Sequence, residues 1–370
     1  MHLKKVIVAV TNDLSTDQRV DKVCNTLTSM GFSVTLTGRL LAKSLPLQRA
    51  YSTHRMKLLF VKGPLFYAEY NIRLLIFLLF NKVDLIVSND LDTLLACFIA
   101  HRIKKNTEIV YDSHEYFTGT PELIDRPVVR SIWKRIEKYI FPKLTDIFTV
   151  NDSIANLYSN EYKKTIKVVR NVPPKLIQEK PTPDLVFDSS KHLVILQGAG
   201  INIQRGAEEA IIAMQFVNNA ILLIIGGGDV IDLLKQMVKE FDLEEKVMFM
   251  DRMPYHELMK YTALAEIGLT LDKDTNINYR YSLPNKLFDY INAGTPVLSS
   301  NLPEISKIIE KYKVGMLIES HDPEHIASCI NTMISLNYKV KLQENLRLAA
   351  DDLNWENEEK ILKQVYSKYV

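Results

Sequence analysis

Short apolar, β-branched runs alternate with segments of helical periodicity along most of this chain. The first cycle has an apolar run at residues 5–10, a helical pattern at 17–30 that ends before Gly31, and another apolar run at 33–37. This order predicts a strand, a helix and a second strand. Because parallel neighbours need long crossovers, which helices supply, the repeated alternation indicates a parallel sheet covered on both faces.

The alternation continues to residue 150 and starts again at residue 192. In the first stretch the pattern predicts further strands at 58–61, 85–87, 108–111 and 147–150 and helices at 70–80, 91–101 and 128–139. In the second stretch it predicts strands at 192–196, 221–225, 247–250, 267–271 and 296–299 and helices after Arg205 and at 230–240, 256–264, 285–293, 326–336, 342–353 and 355–370. We therefore predict an α/β protein with two Rossmann-like, doubly wound domains.

The boundary between the two domains is predicted by a proline-rich stretch. Four prolines (Pro173, Pro174, Pro181 and Pro183) lie in this stretch together with several charges, which suits an extended linker. A chain of 370 residues also exceeds what one core usually organises. We place an N-terminal domain at 1–172, with 354–370 packing back on it, and a C-terminal domain at 173–353. We expect the domains to face a cleft at the carboxyl ends of their strands, where open α/β sheets bind ligands.

Composition narrows the class of protein. The 46 Lys and Arg residues nearly balance the 44 Asp and Glu residues, and a net charge of +2 predicts no nucleic-acid partner. Cys24, Cys97 and Cys329 are far apart and odd in number, which indicates reduced thiols in the cores of a cytoplasmic protein. The apolar run at 5–10 is short and has no small-residue cleavage site after it, so it predicts a first strand and not a signal peptide.

Two features bear on membranes. The apolar run at 74–80 is far shorter than the ~20 residues of a membrane span, so we predict no spanning segment. Residues 39–73 contain seven basic side chains against one acidic side chain, Glu69, with leucines and aromatic residues between them. Such a region is either a solvated basic face over ordinary core residues or a peripheral contact with the inner membrane surface.

The segment 281–297 has the strongest chemical pattern. Pro284 breaks a loop and Asn285 can cap the following helix, so first-turn amides and the Lys286 ammonium form an anion site. Asp289, one turn further on, can accept hydrogen bonds from hydroxyls such as those of a ribose. The alternative is a capped helix with an ion pair between Lys286 and Asp289.

Two glycine-containing loops also follow predicted strands. Gly198 and Gly200 let the backbone approach a ligand, and Arg205 at the helix entrance can bind a diphosphate with its planar fork of donors. The alternative is an arginine that caps solvent-exposed structure. Gly226 and Gly227 follow the next strand, but the third glycine of a dinucleotide fingerprint is missing, so an oxidoreductase is not indicated.

The candidate residues of the first domain lie at its strand ends. His114 follows the strand at 108–111, with Glu115 beside it, and is either a catalytic residue or a satisfied structural histidine. Asp90 and Asp92 form a D-x-D, but carboxylates are favoured at a helix start by the helix dipole, so we predict no metal site.

The segment 281–297 resembles the donor-site signature of the family-four retaining glycosyltransferases, which have the GT-B fold, in the form found in bacterial surface-polysaccharide members. In that family an acidic residue five positions before the glycine of an A-G-x-P-V turn holds the nucleotide ribose, and here it is Asp289. A second acidic residue usually holds the donor sugar, but Tyr281 stands at that position. The family often has an arginine where this chain has Ala199. The resemblance covers nearly the whole chain, including the terminal helix from Trp355 that crosses back to the first domain.

The resemblance implies a role for each candidate residue. Ser282 and Asn285 would bind the donor diphosphate with Arg205 and Lys286, and His114 and Glu115 would be catalytic. Gly198, Gly200, Gly226, Gly227, Tyr281 and Glu304 would line the pocket of the nucleotide and donor sugar. Asp17 and Arg19 would lie on the acceptor side, although they could equally balance charge at a helix start.

These features predict a cytoplasmic, metal-independent transferase without a cofactor. It would move a sugar from a nucleotide-diphosphate donor to a glycan or lipid-linked acceptor with retention of configuration. Two alternatives stay open. One is a sugar-nucleotide epimerase or hydrolase on the same scaffold, and the other is a catalytically silent sugar-nucleotide-binding protein, for which Tyr281 in place of the acid is the argument.

Overall fold

A computed structural model describes residues 3–15, 17–175, 188 and 190–370. The chain forms two compact units. The first comprises Met1–Asn171 and Asn357–Val370, and the second comprises Val172–Glu356. Pro173 and Pro174 of the predicted linker belong to the second unit, whereas Pro181 and Pro183 lie outside the described residues.

The first domain is built on a seven-stranded sheet in which every described strand pair is parallel. The strands are β1 (Lys5–Asp13), β2 (Ser33–Leu40), β3 (Ser52–Lys57), β4 (Leu85–Asn89), β5 (Glu108–Ser113), β6 (Asp146–Thr149) and β7 (Lys167–Val168). Its helices are α1 (Gln18–Ser29), α2 (Gly63–Phe80), α3 (Leu91–Ile103), α4 (Pro121–Ile124), α5 (Pro127–Ile140) and α6 (Asp152–Tyr162).

Strand order defines where this domain can hold a ligand. The order is β3-β2-β1-β4-β5-β6-β7, so the chain leaves β1 in one direction and returns to its other side at β4. In a doubly wound sheet this reversal opens a crevice at the carboxyl ends of the two strands. Asn89 ends β4 and Asp13 ends β1, so polar residues line the reversal.

The second domain repeats the design with six parallel strands in the order β10-β9-β8-β11-β12-β13. The strands are β8 (His192–Gly198), β9 (Ala220–Gly226), β10 (Val247–Met250), β11 (Ile267–Thr270), β12 (Val297–Ser300) and β13 (Gly315–Ile318). The helices are α7 (Ala207–Ala213), α8 (Ile231–Glu240), α9 (Tyr255–Leu264), α10 (Ile277–Arg280), α11 (Asn285–Asn292), α12 (Pro303–Tyr312), α13 (Pro323–Ser335), α14 (Tyr338–Lys341) and α15 (Gln343–Asp352). The reversal lies between β8 and β11, with buried apolar clusters on both faces of the sheet.

The last helix, α16 (Trp355–Tyr366), ends in the first domain. Its Glu358 Oε2 accepts the backbone N–H of Arg170 at 2.8 Å, and the buried ring of Tyr366 stacks on Phe148 at 5.9 Å between centroids. The chain terminus is therefore part of the first core.

Two sequence predictions in the first domain are wrong. The third strand is Ser52–Lys57 and not residues 58–61. This strand lies at the edge of the sheet with half of its positions exposed, so its polar side chains hide the strand pattern. The apolar residues that suggested the strand, Leu59, Phe60 and Val61, are exposed.

The helix α2 is longer than predicted. It begins at Gly63 and has 18 residues, and it is the helix in the described part of the chain that is long and apolar enough to cross a membrane. The expectation of an apolar segment far too short for that is therefore wrong. Four residues of α2, at intervals of four, are buried against the domain: Phe66, Tyr70, Leu74 and Leu78.

Candidate functional site

Two cationic side chains of the second domain converge on one buried carboxylate. Arg205 Nη1 lies 3.4 Å from Asp272 Oδ1, and Lys286 Nζ lies 3.9 Å from Asp272 Oδ2. Asp272 has no solvent exposure and follows β11, whereas Arg205 lies in the loop after β8. The three groups therefore meet at the reversal of strand order, and two positive charges against one negative charge leave an excess that favours an anion.

Local backbone packing fixes Arg205 at this place. Gly206 has a φ of +75°, and a Cβ there would lie 2.4 Å from the Leu271 carbonyl oxygen, so this position requires glycine. The Arg205 guanidinium lies 4.9 Å from the ring centroid of Tyr279, a cation–π distance. Its Nε is buried without a hydrogen-bond partner among the described residues. Arg205 thus pairs with a buried acid and keeps an unused donor.

The helix α11 contributes its first turn to the same place. Its N-cap is Pro284 and not Asn285, and among the described residues no side chain caps its first-turn amides. Ser282, just before the helix, has a buried Oγ with no partner among the described residues. Lys286 is 11% exposed, and burial lowers the pKa of its ammonium, with Asp272 acting in the opposite direction. A bound diphosphate would add acceptors for these donors.

Asp289 is held by a hydrogen-bonded chain of neutral groups. Its Oδ1 accepts the Tyr255 hydroxyl at 2.8 Å, and its Oδ2 accepts Gln197 Nε2 at 3.4 Å. Thr262 Oγ1 in turn donates to Gln197 Oε1 at 2.6 Å. Burial raises the pKa of the Tyr255 phenol, and the Asp289 charge raises it further. A ribose hydroxyl would therefore either donate to Asp289 beside the Tyr255 hydroxyl or take the place of the Tyr255 hydroxyl.

The structure records an ion pair of Lys286 with Asp272. This pair differs from the alternative that the sequence suggested, in which Lys286 pairs with Asp289. The sequence did not reveal Tyr255, Gln197 or Asp272 as site residues. Asp272 could have been noticed as an acid directly after the predicted strand at 267–271. The hydrogen bonds of the other two depend on tertiary packing.

The glycines of the donor loops divide into two groups. Gly226 has a φ of +137°, and a Cβ there would lie 1.8 Å from the Gly198 carbonyl oxygen, so Gly226 is needed for backbone packing. A Cβ on Gly198 or Gly200 would meet nothing closer than 3.7 Å. The backbone at Gly198 and Gly200 thus has open surroundings, as a ligand contact requires.

Arg252 is a further basic residue at these loops. Its guanidinium donates to the Ala199 carbonyl oxygen, and a Cβ on Gly227 would lie 2.9 Å from its Nε. It is exposed at the end of β10. No sequence motif marks Arg252, although Ala199, whose carbonyl it binds, is the position at which the resemblance implies an arginine.

Two other predicted pocket residues have local roles in the structure. Glu304 lies in the first turn of α12, is 4% exposed and pairs with Lys307 at 2.5 Å. Tyr281 follows α10, and its N–H donates to the Ile277 carbonyl oxygen at 3.1 Å. Their contact with a donor sugar stays a prediction.

In the first domain, both ring nitrogens of His114 face acceptors. Nδ1 lies 3.3 Å from Asp90 Oδ2, and Nε2 lies 3.2 Å from Asn89 Oδ1 and 3.7 Å from Asp112 Oδ2. Burial lowers the pKa of His114, but the Asp90 and Asp112 carboxylates outweigh it and raise the pKa to about 9. His114 is therefore an imidazolium at neutral pH.

Asp90 has an unusual backbone conformation, with φ +58° and ψ 167° at the N-cap of α3. Non-glycine residues rarely adopt it, and they do so mainly where other contacts hold them. Its Oδ1 accepts the backbone N–H of His114 at 2.8 Å, and its side chain makes no capping bond to the helix. The position of Asp90 is thus explained by His114 more than by the start of α3.

Two further acids surround this pair. Burial, followed by the Asp90 charge, raises the pKa of Asp92 to about 7 and that of Glu115 to about 8. Asp92 Oδ2 accepts the Thr11 hydroxyl at 2.5 Å, while its buried Oδ1 has no partner in the described part of the chain. Within residues 3–15, 17–175, 188 and 190–370, no group of three or more His, Cys, Asp or Glu side chains could hold a metal ion.

Arg19 contacts this cluster through Asp112, and Asp17 lies two residues before Arg19 at the start of α1. Arg19 is 3% exposed and binds Asp112 through Nε at 3.2 Å and Nη2 at 2.7 Å, while Nη1 donates to the Val169 carbonyl oxygen. Asp17 caps α1 by accepting the N–H of Val20 at 3.1 Å. Although burial acts to raise the pKa of Asp112, Arg19 and His114 outweigh it and hold that pKa well below its usual range. The structure gives Arg19 a supporting contact, and an acceptor role stays a prediction for both residues.

Comparison with known proteins relates this geometry to a family. Residues 187–352 match the family described as Glycosyl transferases group 1. An uncharacterised protein of Acanthamoeba polyphaga mimivirus is 30% identical over 117 residues, and a provisionally named teichuronic acid biosynthesis glycosyltransferase of Bacillus subtilis is 34% identical over 73 residues. These matches cover 30% and 20% of this chain, and 64% and 18% of the two relatives.

Solved structures resemble the whole chain. The sucrose-phosphate synthase of Thermosynechococcus elongatus has a TM-score of 0.79 at 15% identity and covers 99% of this chain and 98% of its own. Anabaena HepE in complex with UDP and glucose has a TM-score of 0.74 at 14% identity and covers 99% of this chain and 100% of its own. The predicted GT-B fold with two Rossmann-like domains is confirmed. The family match covers residues 187–352, and the two solved structures, at 15% and 14% identity, show the fold of the chain.

Proposed function

We propose that this protein is a cytoplasmic glycosyltransferase that moves a sugar from a nucleotide-diphosphate donor to a glycan or lipid-linked acceptor of surface-polysaccharide synthesis. The anomeric configuration is retained, and neither a metal ion nor another cofactor takes part. The observation that carries this proposal is the pairing of Arg205 and Lys286 on the buried Asp272 at the strand reversal of the second domain. HepE, a structural neighbour, binds UDP and glucose, which makes UDP the first nucleotide to test.

The proposed chemistry follows from these charges. The bond between the anomeric carbon and the diphosphate oxygen breaks, and the acceptor hydroxyl attacks the same face of an oxocarbenium-like sugar. The acceptor proton leaves with the diphosphate. Arg205, Lys286 and the first turn of α11 stabilise the negative charge that develops on this leaving group, which is the task that a metal ion performs elsewhere.

The first domain would supply His114 and Glu115. As an imidazolium between Asp90 and Asp112, His114 carries a positive charge in a fixed position. Glu115, with its pKa raised to about 8, is largely protonated at neutral pH and can donate a hydrogen bond to a sugar oxygen. These two residues would act on the reacting sugar and the acceptor.

The test begins with donor recognition. Thermal denaturation with UDP, GDP, UDP-glucose and inorganic phosphate identifies the ligand, because a ligand of the native state raises its stability. Incubation of the recognised donor with and without acceptor glycans then separates the candidates, and NMR of the product gives its anomeric configuration. Donor consumption without acceptor would indicate an epimerase or hydrolase. Binding without turnover across all acceptors would indicate a silent binding protein, and no stabilisation by any nucleotide would overturn the proposal.

A further inference from the structure

The helix α2 is largely apolar, with Glu69, Asn71 and Arg73 as its polar side chains, and only part of it is buried. A helix with this pattern normally lies inside a protein core or in lipid. Its inner stripe of Phe66, Tyr70, Leu74 and Leu78 packs on the domain, and Tyr70 donates its hydroxyl to the Val10 carbonyl oxygen. This inner packing makes α2 an integral helix of the first domain. It does not account for the exposed apolar side chains on the outer face of α2.

The outer face of α2 is mainly apolar, and the ion pair of Glu69 with Arg73 is its charged part. Leu65, Ile72, Ile76 and Phe80 follow one another at helical spacing and are 58%, 60%, 51% and 86% exposed. The preceding loop adds Leu59, Phe60 and Val61. Single exposed apolar residues are ordinary, but a row of them is not.

The helix α5 contacts α2 and has exposed apolar residues of its own. Val128, Ile132 and Tyr139 lie on one side of it and are 73%, 51% and 64% exposed. The rings of Tyr67 in α2 and Trp133 in α5 are in contact, with centroids 5.2 Å apart. We call the exposed apolar residues of the 59–61 loop, α2 and α5 the apolar face.

Positive charge borders the apolar face where α2 and α3 end. A cleft there is lined by Lys4, Lys5, Lys82, Lys104 and Lys105, with Asp84 as its one acidic side chain. Phe80 precedes Lys82 by two positions, and the exposed Ile103 directly precedes Lys104. Apolar side chains and ammonium groups therefore alternate at this edge.

We propose that the apolar face docks the first domain onto a bilayer that contains anionic phospholipids. The apolar side chains enter the boundary between head groups and acyl chains, and the lysine cleft binds the lipid phosphates. The five lysines favour an anionic bilayer over an apolar protein surface, because only the bilayer offers negative charges for the ammonium groups to bind. The contact is peripheral, since α2 keeps its inner stripe packed on the domain. The proposal does not depend on sugar transfer.

Vesicle co-sedimentation of the full chain tests this surface. Binding to vesicles of phosphatidylcholine with phosphatidylglycerol should be at least tenfold stronger than binding to phosphatidylcholine alone, and it should weaken as salt rises. Ile72→Ser with Ile76→Ser should reduce binding at least tenfold, and so should Lys82→Glu with Lys105→Glu. All four residues are exposed, so the variants should fold, which the melting temperature checks.

Matched controls lie in the second domain. Leu348→Ser with Val340→Ser removes two equally exposed apolar side chains, and Lys239→Glu with Lys341→Glu reverses two exposed charges. Both controls should bind vesicles like the original protein. Equal binding to both kinds of vesicle, or full binding by the α2 variant, would overturn the proposal. So would sedimentation analysis that shows a dimer which the α2 variant abolishes, because a second copy would then cover the face. Nucleotide binding without vesicles, measured on the same samples, tests the proposed transferase separately.

Discussion

His114 Nδ1 lies 3.3 Å from Asp90 Oδ2, and the same aspartate accepts the His114 backbone N–H through its other oxygen. Asp90, whose backbone φ is positive, thus contacts both the main chain and the ring of His114. Backbone strain of this kind is retained where surrounding contacts demand a fixed geometry. The pair therefore gives the first domain a positive charge of defined position.

Asp90→Asn should lower the pKa of His114 from about 9 towards its ordinary value, because the charge that raises it is removed while an amide of the same shape remains. NMR titration of the imidazole gives the pKa directly. Asp152→Asn, an exposed substitution in the same domain, is the control. An unchanged titration in the Asp90 variant would mean that Asp112 alone sets the charge of His114.

His114→Ala should slow sugar transfer far more than it weakens donor binding. A contact that strengthens as charge develops in the reaction lowers kcat when it is lost, and we expect about 10²-fold. Steady-state kinetics and donor titration calorimetry separate the two effects. His256→Ala, at a 75% exposed position, should change neither. Normal transfer, or a large fall in melting temperature, would return His114 to a structural role.

Arg205→Ala and Lys286→Ala should each weaken nucleotide-diphosphate binding about 10- to 100-fold, the effect of losing one charge-assisted hydrogen bond. Arg205→Lys should restore only part of the affinity, because an ammonium cannot reproduce the guanidinium fork. Titration calorimetry with the nucleotide diphosphate measures these changes. Lys239→Ala on the exposed side of α8 is the matched control. Affinities equal to that of the original protein in both alanine variants would remove the diphosphate site from this place.

Much of the fold could be predicted because apolar periodicity marks buried parallel strands such as β8 and β9. Prediction failed at β3, half of whose residues are exposed at a sheet edge, and at α2, whose outer apolar residues are not explained by a core. His114 could be selected because it directly follows β5, and Arg205 and Lys286 because they lie at the starts of α7 and α11. The pairing of these residues with Asp272 and Asp90 could not be predicted, because a carboxylate in a loop reveals neither its burial nor the side chain that it contacts.

Asp289→Ala should weaken binding of the free nucleotide as well as of the donor, because a ribose contact exists before and after the reaction. Tyr255→Phe tests whether the observed hydrogen bond competes with the ribose. If the ribose replaces the Tyr255 hydroxyl, this variant should bind the nucleotide at least as tightly as the original protein. Tyr338→Phe, outside the site, is the control. Unchanged nucleotide affinity in Asp289→Ala would refute the ribose contact.

The acids around His114 make a prediction about stability and pH. Glu115 has an ordinary pKa of 4.5 that is raised to about 8 in the folded protein, so between these values the folded state binds a proton that the unfolded state has released. His114, raised from 6.5 to about 9, behaves in the same way over its own range. Since stability falls with rising pH wherever the folded state holds more protons, the unfolding free energy of the first domain should decrease between pH 5 and pH 9.

Glu115→Gln should remove its share of this decrease and leave the share of His114, so the variant should lose less stability than the original protein between pH 5 and pH 8. Urea unfolding at several pH values measures the difference. The chain has two tryptophans, and a Trp355→Phe background leaves Trp133 of the first domain as the fluorescent reporter. Glu108→Gln, at an exposed position of the same domain, should keep the original pH profile. If Glu115→Gln followed that profile too, Glu115 would be an ordinary ionised carboxylate, and its proposed hydrogen bond to a sugar oxygen would have no donor proton at neutral pH.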